Sequence, residues 1–327
     1  MFTKATLKKI SEHLNLSIST VSRALKDHPD IAETTKQKVR ELAAVMEYEP
    51  NTHAISLRTN SSRLFGLIVP SISNLFYESV VAAAEKRARE NDYSLMIFQS
   101  GNDPEKEQES LKLCRLNRVA GIMIAIVPGS QPEIFKKLQE SKIPVVFLDK
   151  VPDDEQYDKV CMADEEAAAL AAERLINQGK KRILALFGNA EMSITKKRLK
   201  VFSDKIDRAG VNCELHFALS SNEAAAITNT AIESFRPDAL FTMSDELLIG
   251  AMQTLYARQV PIPGEIAVLS MSNGYIPTLF NPRITFVETS GTLLGEMATQ
   301  RLLDFIGGQK FARSLTVPAK LVEGKSC

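Results

Sequence analysis

The stretch Leu16-Ser17-Ile18-Ser19-Thr20-Val21-Ser22-Arg23-Ala24-Leu25 decides how the chain is read. Serine caps a helix N-terminus by accepting a backbone amide, and Ser17 stands where such a cap is needed. Behind it Val21, Ala24 and Leu25 recur on one helical face, leaving Ile18, Ser19, Ser22 and Arg23 on the other. Upstream, Thr6 can cap a first helix whose Leu7, Ile10 and Leu14 share a stripe. Asn15 tolerates the left-handed backbone of a tight turn, and Leu16 then points inward. A third helix over about Glu33–Met46 offers Val39, Leu42, Ala43 and Met46 to the same core. Three short helices with a tight turn between the first two form a helix-turn-helix. Its second helix has hydroxyls at Ser17, Thr20 and Ser22 to meet phosphates. Arg23, with Ile18 or Ser19, can reach base edges. A purely structural three-helix bundle with a solvated serine face would show the same periodicity.

Charge and texture change outward from this segment. Residues 1–63 hold ten Lys/Arg and seven Asp/Glu, a net +3, so the remainder of this neutral chain carries −3. A small basic module on a larger body is a layout of nucleic-acid readers with a sensor. After Thr59-Asn60-Ser61-Ser62-Arg63, apolar runs alternate with helical patterns: Leu64–Pro70, a helix over Glu78–Asn91, then Tyr93–Phe98. Further runs stand at Gly121–Val127, Pro144–Leu148, Arg182–Phe187, Ala239–Met243 and Ile266–Ser270. Short continuous apolar strands separated by helices predict parallel sheets covered on both faces. Leu64–Ser100 and Lys181–Ser220 each read strand, loop, long helix, strand, which predicts two similar α/β halves.

The 327 residues contain no run of 18 apolar residues, so no transmembrane helix and no membrane partner are expected. Charged residues from Lys4 to His13 leave no room for a secretory apolar segment, which predicts a cytoplasmic protein. The four cysteines, Cys114, Cys161, Cys213 and Cys327, are far apart and read as free thiols. Walker A, GxGxxG, GxSxG and HExxH patterns are missing from the sequence, and its four histidines are scattered. No catalytic residue, metal or cofactor is expected, and an α/β enzyme is the weaker alternative. A transport receptor would need a secretory signal and would leave the helix-turn-helix unexplained.

The segments Thr6–Ile10 and Leu16–Leu25, followed by Tyr48-Glu49-Pro50-Asn51 and Ala54-Ile55-Ser56-Leu57-Arg58, closely resemble the start of a lactose/galactose-repressor family regulator. The resemblance continues through Gly66–Asn74, Asp103–Glu107 and Ile143–Asp149. It implies a homodimer reading a pseudo-palindromic operator, with one recognition helix in each half-site. By that resemblance Ile18, Ser19 and Arg23 meet base edges, while Thr6, Ser17, Thr20, Ser22, Tyr48 and Asn51 contact phosphates. Asn51–Arg58 looks like the family's hinge helix, with Ala54 and Arg58 against DNA and Leu57 wedged into the minor groove. Ala32 departs from the family's frequent serine cap.

The fold implied is α/β: a helix-turn-helix domain at residues 1–50, then a hinge and linker at 51–63. A two-lobed sensor like a periplasmic sugar-binding protein follows, its halves joined by three crossovers and holding a small effector in their cleft. Its first half is expected over 64–163 with 291–320, and its second over 164–290 with 321–327. The family's ligand positions fall on Ser71, Asn74, Phe76, Tyr77, Arg198, Ser244, Asp245 and Ser272. The last departs from the family pattern, because relatives carry a sugar-clamping aspartate where Ser270-Met271-Ser272-Asn273 has Ser272. Ser244 replaces a frequent asparagine, and Pro128-Gly129 stands where some relatives have a carboxylate. With Arg198 kept, and Lys196 and Lys150 in reach, the expected effector is a sugar or an anionic sugar derivative. Control of the same DNA-binding role by a protein partner is the alternative. The end of the chain lacks apolar heptads, which favours a dimer over a tetramer.

Eight residues are too few for a stable isolated helix, so Asn51–Arg58 is expected to order only on DNA. Leu57→Gly should weaken specific operator binding strongly while sparing dimerisation and salt-dependent non-specific binding. Amide exchange across 51–58 checks the scheme, and strong protection there without DNA would contradict it.

Overall fold

A computed structural model describes residues 6–48, 62–130, 133, 135, 138, 140–152, 154, 156–309 and 313–327. The chain divides into two compact units, Met1–Ser62 and Arg63–Cys327.

The first unit contains α1 (Leu7–Leu14), α2 (Ile18–Leu25) and α3 (Glu33–Val45). Both expected caps form: Thr6 Oγ1 accepts from Lys9 N at 3.3 Å, and Ser17 Oγ from Thr20 N at 3.0 Å. Asn15 adopts φ 55°, the left-handed turn that asparagine tolerates, and Leu16 N closes back on Ser11 O at 3.0 Å. Ile10, Val21, Ala24 and Val39 are fully buried, with Leu14, Leu16, Leu25 and Leu42 packed around them. The side chain of Ala32 offers α3 no capping bond. Lys36, buried at the start of α3, instead reaches Asp27 Oδ1 at 3.0 Å and Glu33 Oε2 at 3.5 Å, and Arg40 joins Asp27 at 2.6 Å. The hydrogen bond and charge of Lys36 hold the Asp27 carboxyl below the usual carboxylate range. Asn51, Ala54, Leu57 and Arg58, with most of the expected hinge, lie outside the described residues.

The second unit begins with β1 (Leu64–Val69), α4 (Leu75–Arg89), β2 (Ser94–Gln99), α5 (Pro104–Leu116), β3 (Gly121–Ile124), β4 (Val145–Leu148) and β5 (Asp158–Met162). Then come α6 (Asp164–Asn177), β6 (Arg182–Phe187), α7 (Ser193–Arg208), β7 (Asn212–Phe217), α8 (Ser221–Ser234), β8 (Ala239–Thr242), α9 (Asp245–Ala257) and β9 (Ala267–Ser272). A short 3-10 turn (Ile276–Leu279), β10 (Thr285–Glu288), α10 (Gly291–Ile306), β11 (Ser314–Val317) and β12 (Lys320–Val322) complete it.

The strands form two six-stranded sheets of the same design, β11-β5-β4-β3-β1-β2 and β12-β10-β9-β8-β6-β7. The β10–β12 pair is antiparallel; the other described pairs, such as β1–β3 and β6–β8, are parallel. The repeat seen in sequence is thus a repeat of topology. It follows from apolar runs buried on both faces, β6 and β8 being covered along nearly their whole length. The chain crosses between the sheets through α6, through α10 and through Pro318-Ala319. Helix α10 returns to the first half, where Leu294, Ala298 and Leu302 join its core. Lys320, placed with the first half by the sequence reading, begins β12 of the second sheet because it pairs with Glu288.

Element ends moved for identifiable reasons. The first long helix starts at Leu75 rather than Glu78, because Asn74 Oδ1 takes the Phe76 amide at 2.9 Å. β3 stops at Ile124, where its pairing with β4 ends. β9 runs on to Ser272 because β10 pairs with Leu269 through Ser272. No helix among the described residues is long and apolar enough to cross a membrane.

Helices α8 and α9 meet so closely that a Cβ on Gly250 would lie 1.9 Å from the Ser221 carbonyl oxygen. Backbone cannot give way as a side-chain tip can, so Gly250→Ala should cost roughly 1–3 kcal/mol. Urea unfolding reads this as a lower midpoint; an unchanged midpoint would show that the helices part freely.

Candidate functional site

In the first unit the sequence-predicted DNA residues gather around α2. Ser17 Oγ caps the helix and also meets Ser19 Oγ at 2.7 Å and Thr20 Oγ1 at 2.8 Å. This hydroxyl cluster sits at a helix N-terminus, where free amides and the helix dipole favour an anion. Ile18 is 48% exposed, a cost that an apolar contact in a groove would remove. Ser19 and Arg23 are exposed, and Ser22 is half-buried beside them. Arg23 makes no ion pair with any described residue, so its guanidinium is available to a ligand. Thr6 is exposed at the start of α1, while Tyr48 packs against the three-helix core.

In the second unit a cavity of about 170 Å³ opens at the carboxyl ends of the parallel strands. Asn74, Phe76 and Tyr77 at the start of α4 line it from the first half. Arg198, Ser244, Asp245 and Ser272 line it from the second half. Seven of the eight predicted ligand residues therefore meet. Ser71 is the exception; it does not line the cavity, and its hydroxyl accepts from Ser73 N at 3.1 Å.

Most of the charged and polar side chains in this cavity already have partners of their own. The Tyr77 hydroxyl donates to Asp149 Oδ2 at 2.5 Å, and the Tyr77 ring meets Phe76 edge-to-face at 5.3 Å. Burial, then the Asp149 charge, raises the Tyr77 pKa well above its ordinary value. Asp245, first residue of α9, accepts from Ser272 Oγ at 2.5 Å and from Asn273 N at 3.2 Å. Burial pushes the Asp245 carboxyl up against the pull of those bonds. Ser244 caps α9 through Leu247 N at 3.5 Å.

Arg198 differs most from the expectation. It is 5% exposed, and its Nε and Nη2 both lie 2.8 Å from Asp164 Oδ1, while Nη1 donates to the Met243 carbonyl at 3.3 Å. The guanidinium is neutralised within the protein, so it is not an open anion grip. Lys196 is exposed and pairs with Glu191 at 3.5 Å instead of entering the cavity. Lys150 does line it, with Nζ bonded to Asn102 Oδ1 at 3.3 Å and its pKa lowered by burial. Two of the three cations that prompted an anionic effector are thus engaged by carboxylates.

Sequence reasoning missed Asp149, Asp164, Asn273 and Thr289 as site residues. Asp149 and Thr289 directly follow β4 and β10, so the rule that ligands sit beyond strand carboxyl ends could have found both. Asp164 stands two residues past β5, a strand whose Asp158 and Lys159 interrupt the apolar pattern, and its partner is 34 positions away.

Removing one member of a buried ion pair leaves the other uncompensated, at about 3–5 kcal/mol. Arg198→Ala should therefore destabilise the second unit by that order. Burial already raises the Asp164 pKa, and losing Arg198 raises it further. A carboxyl with a raised folded pKa contributes stability below its unfolded pKa and loses it as pH climbs through the folded value. The deficit of Arg198→Ala should accordingly shrink on acidification, as urea titrations across pH 4–7 would read. A small, pH-independent deficit would contradict the pairing.

Comparison with known proteins places these features. The model described as "Bacterial regulatory proteins, lacI family" matches residues 6–51. The model described as "Periplasmic binding proteins and sugar binding domain of LacI family" matches 62–325. The chain is 28% identical over 310 residues to the HTH-type transcriptional repressor PurR of Vibrio campbellii, covering 92% of each. It is 27% identical over 317 residues to the PurR of Vibrio cholerae serotype O1 (strain M66-2), covering 95% of this chain and 94% of that one. Its fold matches a lac repressor dimer bound to operator and the anti-inducer ONPF, with TM-score 0.89, 22% identity and 99% of each chain covered. It also matches a complex of the transcriptional regulator CelR with cellobiose, with TM-score 0.72, 20% identity and coverage of 99% and 100%. With both its helix-turn-helix and its two-sheet unit matched, the chain belongs to the lacI family of bacterial regulatory proteins.

Proposed function

We propose that this regulator is a cytoplasmic repressor that reads a pseudo-palindromic operator as a homodimer. A neutral, polyhydroxylated effector about the size of one sugar ring occupies its cleft. The observation carrying this reading is that one chain holds both an exposed, serine-capped recognition helix and a cavity lined by the carboxylates of Asp149 and Asp245.

Base reading falls to Ile18, Ser19 and Arg23, and phosphate contact to Thr6, Ser17, Thr20, Ser22 and Tyr48. The relatives named above are transcriptional repressors, and one structural neighbour is a dimer on its operator. A dimer also suits the exposed apolar side chains on the two edge strands. Ile97 on β2 and Leu215 and Phe217 on β7 are 41%, 38% and 44% exposed on the corresponding edges of the two sheets. Enzymatic use of the thiols is disfavoured, since burial pushes Cys114 and Cys213 up to about 12.

The effector class follows from the cavity. Ser272 does replace the family's usual clamp, but Asp149 and Asp245 bring carboxylates to the same space from other strand ends. Carboxylates are acceptors suited to sugar hydroxyls. With Arg198 tied to Asp164, Lys150 is the cation left to offset Asp149, Asp245 and Glu246. Such a lining disfavours phosphate. The volume, about 170 Å³, is below the roughly 300–1,000 Å³ typical of clefts for drug-sized ligands.

Two measurements on one preparation test the proposal. In selection from a random DNA pool, the full chain should enrich a two-fold symmetric site. Arg23→Ala should then lose roughly 1–3 kcal/mol and relax one base pair per half-site; unchanged preference would remove Arg23 from base reading. In a thermal-shift screen, neutral monosaccharides should raise the melting point, with the response lost in Asp149→Asn. A response confined to sugar phosphates or nucleobases, and retained in Asp149→Asn, would overturn the effector class.

A further inference from the structure

Among the described residues, side-chain hydrogen bonds between the two halves of the second unit converge on one residue, Asn273. It directly follows β9 and is fixed to the second half from below, its backbone amide donating to Asp245 Oδ2 at 3.2 Å. Its side chain reaches into the first half. Nδ2 donates to the Leu75 carbonyl at 3.2 Å, and Oδ1 accepts from Gly291 N at 3.2 Å. Ser79 Oγ lies 3.3 Å from the same Oδ1, though its single proton is closer to the Phe76 carbonyl at 2.7 Å. One amide thus uses a donor and an acceptor at once, a pairing no carboxylate can reproduce.

The receiving surface is rigid. A Cβ on Gly291 would fall 2.2 Å from Ser79 Oγ and 2.5 Å from the Phe76 carbonyl, so the start of α10 is pressed against α4. Gly291 is also the first residue of α10, where an amide has no partner within its own helix; Asn273 supplies one. Leu75 strengthens the junction, because its side chain packs against the hydrophobic core of the second half. The contacts of Asn273, each at 3.2 Å, lie at the long end of the usual N–H···O range.

We infer that Asn273 is a positioning residue that biases the two halves toward the closed arrangement and links closure to the state of the cavity. The link is Asp245. Its two oxygens hold Ser272 Oγ and Asn273 N, and Ser272 Oγ in turn accepts from Gly274 N at 2.9 Å. A cavity occupant that takes a bond from Asp245 competes with the turn that carries the latch. The inference concerns the motion of the halves and holds for any occupant of the cleft, so it stands or falls apart from the effector class proposed above.

The test uses the full chain without ligand, reading amide exchange at Gly291, the radius of gyration by small-angle scattering and the thermal midpoint. Asn273→Ala should speed Gly291 exchange roughly tenfold, as expected for losing weak hydrogen bonds. It should enlarge the radius of gyration while leaving the midpoint within a few degrees of the parent. Asn273→Asp keeps the acceptor for Gly291 but sets a carboxylate oxygen against the Leu75 carbonyl. It should enlarge the radius of gyration and speed Gly291 exchange as well, because opening carries Gly291 away from residue 273. A merely structural asparagine would lower the midpoint in both variants while leaving the radius of gyration at the parental value. A folded Asn273→Ala with parental exchange and radius overturns the inference. If Asn273→Ala fails to fold, an Asn273→Asp protein with the parental radius overturns it equally.

Discussion

Charged groups brought out of water into one small space must each find a partner, and that constraint shapes the cleft of this protein. Asp164 closes on Arg198, Asp149 takes the Tyr77 hydroxyl, and Asp245 gathers Ser272 and the Asn273 amide. Leaving any of these unpaired would cost more than a typical hydrogen bond returns. The pairs therefore tie the start of α4 to the end of β4, the start of α6 to α7, and the start of α9 to the end of β9. Because parallel strands deliver their carboxyl ends to the same edge, the pairing network and the ligand space occupy the same place. An effector that binds these carboxylates competes with their internal partners for the same oxygens.

The DNA-reading unit obeys a different economy. Its core is small, with Ile10, Val21, Ala24 and Val39 as its fully buried centre, so local devices carry much of its definition. Two side-chain caps, one left-handed asparagine and an ion cluster around Asp27 set three helices without a large hydrophobic interior. What remains outward on α2 is chemically spare: hydroxyls held in a cluster by Ser17, an exposed isoleucine and an arginine without an ion pair among the described residues. Such a surface is prepared for phosphates and base edges rather than for a protein core.

How much of this was legible in the sequence depended on whether the cause was local. The caps at Thr6 and Ser17 and the turn at Asn15 act within three or four residues, and the spacing reveals them. Buried strands such as β1, β6 and β8 were visible because both faces are apolar, whereas the buried β10, bounded by Thr285 and Glu288, was not. β5 was not, since Asp158 and Lys159 interrupt its pattern; Asp158 is satisfied by Arg301 at 2.5 Å from far along the chain. β11 and β12 are short strands recruited by neighbours, with little signal of their own. The same limit applies to the site. Residue types at the family's ligand positions converge on the cavity, yet whether Arg198 is open or occupied depended on Asp164, a contact that spacing does not encode. The loss of a carboxylate at Ser272 argued against a plain neutral sugar, yet the strand ends also bring Asp149 into the same space.

The two units matter together only if occupancy of one changes the affinity of the other, and that coupling must be reciprocal. The most direct measurement is operator affinity at fixed salt, with and without a saturating ligand of the cleft, alongside ligand affinity with and without operator. The account predicts that each partner changes the other's dissociation constant by the same factor, of the order of 5- to 150-fold. Equal affinities in all four conditions would contradict it and leave the cleft and the recognition helix as independent sites on one chain.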